Sequence, residues 1–312
     1  MGFKVIGIGE VLWDLLPSGA QLGGAPANFA YHAQALGARA GVISRVGSDR
    51  LGQDIRRRLA ELHLPLDLVQ CDESAPTGTV TVELTGDGIP QFTIHRDVAW
   101  DHLVPTEAAL SAARAAHALC FGTLAQRDEP SHSTIQKLLS HAAPESWRVF
   151  DINLRQTFYT RAVIESSLGF ANVLKLNDEE LPVLAAMFGL NGDVAMQVSA
   201  IAQMFELKLV ALTRGPLGSL LYHGGRWSEC QTRPVRVKDT VGAGDAFTAA
   251  LVMGLLQDMD LDQINIAANE VARHVCSCAG ATPPLPDELS GLFLNANPNG
   301  GRESNPCRRK QN

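Results

Sequence analysis

The chain predicts an α/β fold, a doubly wound and mostly parallel sheet flanked by helices, with a smaller β-sheet beside it. Three observations carry this. From residue 103 onward, apolar strand-like runs alternate with helical patterns, the order that a parallel sheet requires. Residues 77–96 interrupt that order with period-two alternation around G-D-G, which is a hairpin signal. Residues 239–256, D-T-V-G-A-G-D-A-F-T-A-A-L-V-M-G-L-L, lead from a glycine-bearing turn into a nearly all-apolar run, long enough for about three turns of buried helix.

Composition narrows the function. With 312 residues and 46% apolar content, the chain can form one large α/β domain or two small ones. The formal charge is −7 and no basic cluster precedes the last few residues, which argues against a nucleic-acid partner. No stretch of about 18 apolar residues could span a bilayer. The opening M-G-F-K-V-I-G-I-G-E lacks the apolar core and cleavage site of a signal peptide, so a cytoplasmic protein is expected. Cys71, Cys120, Cys230, Cys276, Cys278 and Cys307 form no C-x-x-C pair and lack histidines at zinc-finger spacing, which reads as reduced structural thiols.

In chain order, residues 3–9 read as a buried strand ending in G-I-G. A dinucleotide-binding turn would need a third glycine where Leu12 stands. E-V-L-W-D-L-L-P-S reads as a second strand, with Asp14 alone among apolar neighbours. G-G-A-P-A-N, Gly23 to Asn28, then enters an amphipathic helix through Leu36. Glycine lets backbone approach a ligand closely, and Asn28 offers donor and acceptor to a polyol. The strand G-V-I-S-R-V leads into Arg45-Val46-Gly47-x-Asp49-x-x-Gly52. In the hairpin, alternation sets Phe92, Ile94 and Arg96 on one face. Helices are expected over 106–116 and 131–142, with strands at 118–121 and in R-V-F-D-I-N.

Ligands in such sheets gather at the carboxyl ends of the strands. Three polar groups fall there: Asp151, Asn153 and Arg155 in D-I-N-L-R; Asn177 and Glu180 in K-L-N-D-E-E; and Thr213, Gly215 and Gly218 in L-T-R-G-P-L-G. Each has a purely structural alternative, because N-D-E-E can open a helix and T-R-G-P-L-G can be a tight turn. Asn269 falls on a later helix, where a solvated face is the alternative. From Asn295 the composition is too polar for a core, so 295–312 is expected to be a disordered tail.

The turn at 242–245 is the most informative stretch. Unpaired N–H groups and the positive end of the helix converge there into an anion site. A carboxylate at that place would repel a phosphate, yet Asp245 is well placed to take a proton from a hydroxyl attacking one. A P-loop lysine is missing. The structural alternative is an N-capping Asp in an ordinary Gly-rich turn.

The string D-T-V-G-A-G-D resembles the signature of the ribokinase-like (PfkB) sugar kinases, which include the fructokinases. The resemblance implies a ribokinase-like kinase domain over 1–294, with a β lid formed from segments 11–22 and 77–100. It makes Asp245 the catalytic base and the amides of Gly242, Ala243 and Gly244 the anion hole. It implies that Asp14, Gly24 and Asn28 hold sugar hydroxyls, with Phe92, Ile94 and Arg96 on the lid. Asn153 and Arg155 would lie near the transferring phosphate or the sugar. Asn177 and Glu180 would organise Mg²⁺ and ATP, with Glu180 acting through water. Thr213, Gly215 and Gly218 would line the nucleotide path and Asn269 the adenine. Asp239, with backbone near Gly280, resembles a monovalent-cation site for K⁺, although Pro284 stands where the family often has Ser. A homodimer through the lid is a further implication. G-G-A-P-A-N and D-x-N-x-R lean towards fructose, phosphorylated to fructose 6-phosphate. 2-Keto-3-deoxygluconate, ribose, tagatose or a nucleoside are the alternatives, as is a non-catalytic sugar- or nucleotide-binding regulator.

Overall fold

The computed structural model describes residues 2–16, 19–84 and 90–294. The G-D-G turn, the expected tail at 295–312 and Cys307 lie outside the described residues. The strands are β1 (Lys4–Ile8), β2 (Leu12–Leu16), β3 (Gly19–Gly23), β4 (Arg39–Gly47), β5 (Val69–Asp72), β6 (Thr79–Leu84), β7 (Pro90–Ile94), β8 (Ala118–Phe121), β9 (Trp147–Asp151), β10 (Val173–Asn177), β11 (Leu209–Thr213), β12 (Ser219–His223) and β13 (Arg226–Cys230). The helices are α1 (Ala25–Ala35), α2 (Arg50–Glu61), α3 (Glu107–Ala115), α4 (Glu129–Ser140), α5 (Arg161–Phe170), α6 (Glu180–Phe188), α7 (Val194–Met204), α8 (Ala243–Leu256), α9 (Leu261–Cys276) and α10 (Asp287–Leu294).

Nine strands form the main sheet in the order β13-β12-β11-β10-β9-β8-β1-β4-β5. Every neighbouring pair from β11 to β5 is parallel, and β12 and β13 add an antiparallel edge. From β1 the chain builds outward to β4 and β5, then returns to build β8 to β11 on the other side. The direction of winding therefore reverses between β1 and β8, where diverging crossovers leave a crevice at the strands' carboxyl ends.

Period-two alternation along the strands feeds two cores, one on each face. Val173, Leu209 and Ala211 pack with residues of α1, α2, α8 and α9, whereas Leu174, Val210 and Leu212 pack with residues of α3 to α7. Helix α8 is buried without a break from Ala246 to Leu255, which accounts for its nearly all-apolar sequence. Each fully buried Leu or Val there contributes about 1.5–3 kcal/mol of transfer free energy. Among the described residues, no helix is long and apolar enough to cross a membrane.

The smaller sheet has the order β3-β2-β6-β7. Two antiparallel hairpins are joined by a parallel β2–β6 pair that sets Trp13 to Leu15 against Thr79 to Thr81. This gives the 77–96 hairpin its partner surface. The expected shared face of Phe92, Ile94 and Arg96 needs correction. The strand ends at Ile94, which is 8% exposed and packs with Leu12, Val80, Val98 and Trp100. Arg96 lies beyond it, just before Asp97 turns to φ 55°, and its guanidinium pairs with Asp128 at 3.1 Å. Phe92, at 53% exposure, and the Arg96 side chain, at 57%, both stand open to solvent, whereas Ile94 does not.

Arg45-Val46-Gly47-x-Asp49-x-x-Gly52 ties the two sheets together. The Asp49 carboxylate accepts from the Gly52 amide (2.8 Å) at the start of α2. It also accepts from the Thr77 amide (2.8 Å) and hydroxyl (2.6 Å) at the entry to β6.

Candidate active site

The crevice at the β1–β8 reversal holds a small cavity lined by Glu10, Pro26, Phe29, Cys120, Asp151 and Asp245, among others. Helix α8 delivers Asp245. Its N-cap, Gly242, sits at φ 77°, and a Cβ there would lie 2.5 Å from the Ala281 carbonyl oxygen, so only glycine makes this turn. The Ala243 amide closes back on the Thr240 carbonyl at 3.3 Å. The Gly242 and Gly244 amides donate to no acceptor among the described residues, as the orphan donors of a helix start do.

Asp245 is half-buried, within reach of the crevice. Burial and the nearby Asp151 carboxylate push its pKa up from 3.8 to about 6, while Asn28, Lys175 and Arg155 pull it down. Its Oδ2 accepts from Asn28 Nδ2 at 2.8 Å. Asn28 comes from the first turn of α1, whose N-cap Gly24 has φ 111°. A Cβ on Gly24 would meet the Glu10 carbonyl at 2.4 Å, so G-G-A-P-A-N serves a close approach between α1 and the β1–β2 link. Asn28 Oδ1 is buried with no hydrogen-bond partner among the described residues. Asp14 lies within β2 opposite Gln21, not at a strand end. Burial raises its pKa and Arg155 opposes the rise. Gly24, Asn28 and Asp245 are thus brought together, and Asp14 and Asp245 both feel the exposed Arg155.

The three polar turns line the carboxyl ends of β9, β10 and β11. Asn153 adopts φ 45°, and the Thr123 hydroxyl donates to the carbonyls of Ile152 (2.8 Å) and Asn153 (3.3 Å). Asn177 Oδ1 accepts from the amides of Glu179 (2.9 Å) and Glu180 (2.8 Å), so its side-chain oxygen opens α6. Glu180 opens α6 and reaches back to two turns. It is 5% exposed, and its two oxygens accept from the amides of Leu154 (2.9 Å) and Asn177 (2.8 Å). That makes it a brace between two turns. Thr213 accepts the Asp178 amide through its carbonyl at 3.0 Å, which joins the third turn to the second. Gly215 and Gly218 carry φ of 51° and 85° in the tight turn that follows β11.

Two further expected contributors are held by contacts of their own. Asn269 is buried in a polar ladder between α9 and the β12–β13 edge. Its Nδ2 donates to Ser219 Oγ (2.6 Å) and the Asn265 carbonyl (2.8 Å), and its Oδ1 accepts from Thr232 (3.0 Å). With both ends of the amide engaged and 7% exposure, it supports the sheet edge and does not lie on a solvated helix face. Asp239 lies beside Gly280 as expected, but its oxygens accept from the amides of Val241 (3.0 Å) and Gly280 (3.1 Å). Among the described residues, no group of three His, Cys, Asp or Glu side chains could hold a metal ion.

Sequence reading missed Glu10, Lys175 and His32. Glu10 is 3% exposed, and burial pushes its pKa up from 4.5 to about 7. Lys175 Nζ pairs with Asp151 Oδ1 at 3.0 Å inside the sheet–helix layer. His32 is fully buried, with Nε2 2.9 Å from the Ala281 carbonyl. Each is one polar letter in an apolar run, a signal that becomes legible only when four distant segments meet.

Comparison with known proteins fits this geometry. Residues 19–288 match the model of the pfkB family carbohydrate kinases. A fructokinase of Salmonella typhimurium is 31% identical over 294 residues, covering 90% of this chain and 94% of the relative. The solved structure of an uncharacterized sugar kinase from Pyrococcus horikoshii in complex with ATP superposes with a TM-score of 0.81. It is 29% identical and covers 93% of this chain and all of that one (100%). A fructokinase of Xylella fastidiosa with bound ATP shares the fold at a TM-score of 0.80 and 23% identity, covering 94% of this chain and 99% of that one. Fold and relatives together define a carbohydrate kinase. The chain belongs to the pfkB family, with the ribokinase-like architecture of a large, mostly parallel sheet and a smaller β-sheet.

Proposed function

We propose that this ATP-dependent sugar kinase phosphorylates D-fructose to fructose 6-phosphate, with Asp245 as the general base. The observation that carries the reading is the Asp245 carboxylate itself. It stands in the first turn of α8, half-buried, with a pKa near 6 and one oxygen bonded to Asn28. A base poised near neutrality at a positively polarised helix end suits removal of a hydroxyl proton beside an anion.

In this reading the sugar oxygen attacks the γ-phosphorus in line, and its proton passes to Asp245. The bond from phosphorus to the β–γ bridging oxygen breaks, and ADP leaves with the electron pair. The Gly242 and Gly244 amides, with Ala243 fixing the turn, hold the charge that grows on the phosphoryl oxygens. Gly24, Asn28 and Asp14 hold the sugar. Asn153 and Arg155 stand between sugar and phosphate, and the turns at Asn177, Thr213, Gly215 and Gly218 carry the nucleotide. ATP brings its Mg²⁺. Asn177 and Glu180 would organise that ion and the triphosphate, with Glu180 acting through water. The smaller sheet acts as a lid that excludes water, and Gln156 already reaches it by donating to the Phe92 carbonyl at 2.7 Å.

Fructose is favoured by the Salmonella relative. One observation favours a second reading: Arg155 is exposed and electrostatically coupled to Asp14, which would suit the carboxylate of a sugar acid such as 2-keto-3-deoxygluconate. ADP release across a panel of neutral and acidic sugars separates the two. Asp245→Asn is expected to lose on the order of 10²–10⁴ in turnover while still binding ATP. Near-normal turnover in that variant would remove Asp245 as the base.

A further inference from the structure

We infer that the buried Asp151–Lys175 pair is a positioning device for the Asp245 carboxylate and the Gly244 amide. The inference rests on Asp245 being the base and says what sets that base to work. Lys175 projects from β10 on the same face as Val173, towards α8, at a position where the strand's alternation calls for an apolar side chain. It is 7% exposed and Asp151 is 5% exposed. A buried ion pair contributes little to stability that an apolar pair of similar volume would not, so stability gives no reason for a lysine here.

Geometry supplies one. The pair grips α8 at successive turns. Asp151 Oδ1 accepts from Lys175 Nζ at 3.0 Å, and Oδ2 accepts from the Thr248 hydroxyl at 2.8 Å. That hydroxyl also lies 3.0 Å from the Gly244 carbonyl. Lys175 Nζ sits so close beneath the turn that a Cβ on Gly244 would be 3.1 Å from it. The ammonium thus lies directly behind an amide that faces the anion, and the carboxylate behind it opposes ionisation of Asp245.

The groups that face Asp245 are Glu10 from the β1–β2 link, Asn28 from α1, Cys120 from β8, Asp151 from β9, Arg155 from the following turn and Lys175 from β10. Glu180 faces Lys175 in turn. Lys175 favours the Asp245 carboxylate form and Asp151 disfavours it. The two members of the pair therefore act on the base in opposite senses.

The test is the acid limb of kcat against pH in the full chain for wild type, Asp151→Asn, Lys175→Met and the double variant. Asp245→Asn serves as reference. Asp151→Asn is expected to move the limb down by about one pH unit and Lys175→Met up by about one, with the double variant between them. The KM for sugar should change less than kcat. Lys175→Arg should restore the wild-type limb, and it carries the test with Asp151→Asn should Lys175→Met fail to fold. Limbs that coincide, or that shift in the same direction, overturn the inference. Should Asp245→Asn be inactive while Asp151→Asn leaves the limb in place, only this inference fails. A fully active Asp245→Asn removes the base assignment beneath it.

Discussion

His32 supports the anion-binding turn from behind. Its imidazole bonds to the Ala281 carbonyl at 2.9 Å, and that carbonyl packs against Gly242, where a Cβ would be only 2.5 Å away. Burial pulls the His32 pKa from 6.5 down to about 4, so the ring is neutral near pH 7 and Nε2–H donates. Between those two values the unfolded chain binds a proton that the folded chain does not. The stability contributed by the neutral ring is complete above pH 6.5 and is lost as pH falls towards 4. Glu10 acts in the opposite sense: its pKa, raised from 4.5 to about 7, makes the folded chain the better proton binder across that range. The two trends overlap in the wild-type curve, and a variant isolates one of them. His32→Leu is expected to be less stable than wild type by about 1–3 kcal/mol at pH 8, because the Ala281 carbonyl loses its partner. At pH 5 the difference should shrink by about 2 kcal/mol. Urea titrations at both pH values measure it, and parallel curves would show that the ring does not carry the linkage.

The individual elements were readable because period and turn chemistry are local. β1, β2, β4, β8 to β11 and α8 stand where alternation, apolar runs and the glycine turns put them. The parallel β2–β6 pairing left no local trace, since neither strand's pattern names its neighbour. The site divides the same way. Asp245 and its turn form one contiguous string, whereas Glu10, His32, Asp151 and Lys175 acquire meaning only through contacts between β1, α1, β9, β10 and α8. The backbone contacts of Glu180 were not legible, because a polar residue near a strand's carboxyl end has the same letters whether it faces a ligand or braces backbone. The small sheet adds an element-scale test. Gln156 joins the turn after β9 to β7 by one exposed bond, 2.7 Å from Nε2 to the Phe92 carbonyl. If that sheet closes over sugar, Gln156→Ala should raise the KM for sugar about 2- to 10-fold, the equivalent of one ordinary hydrogen bond, with thermal stability unchanged. An unchanged KM would mean that the contact does not hold the lid.

At the scale of the whole molecule, the crevice separates two sets of supports. One comes from the β1–β2 link, α1 and the small sheet, which carry Glu10, Gly24, Asn28 and Asp14. The other comes from the turns after β9, β10 and β11, which Glu180 and the Asp178–Thr213 bond lock together. Helix α8 lies between them and faces both. Because the sets are built on separate strands of the main sheet, damage to one should leave the other's ligand in place. Each ligand that binds only the folded chain adds about 2.7 kcal/mol of stability at 100 times its Kd. Asp14→Ala is therefore expected to lose the thermal shift given by fructose while keeping the one given by ATP with Mg²⁺. The reverse pattern, with the nucleotide shift lost and the fructose shift retained, would move Asp14 out of the sugar half. Equal loss of both shifts would mean that the small sheet and the nucleotide turns order as one unit, and that the crevice does not divide the molecule's labour.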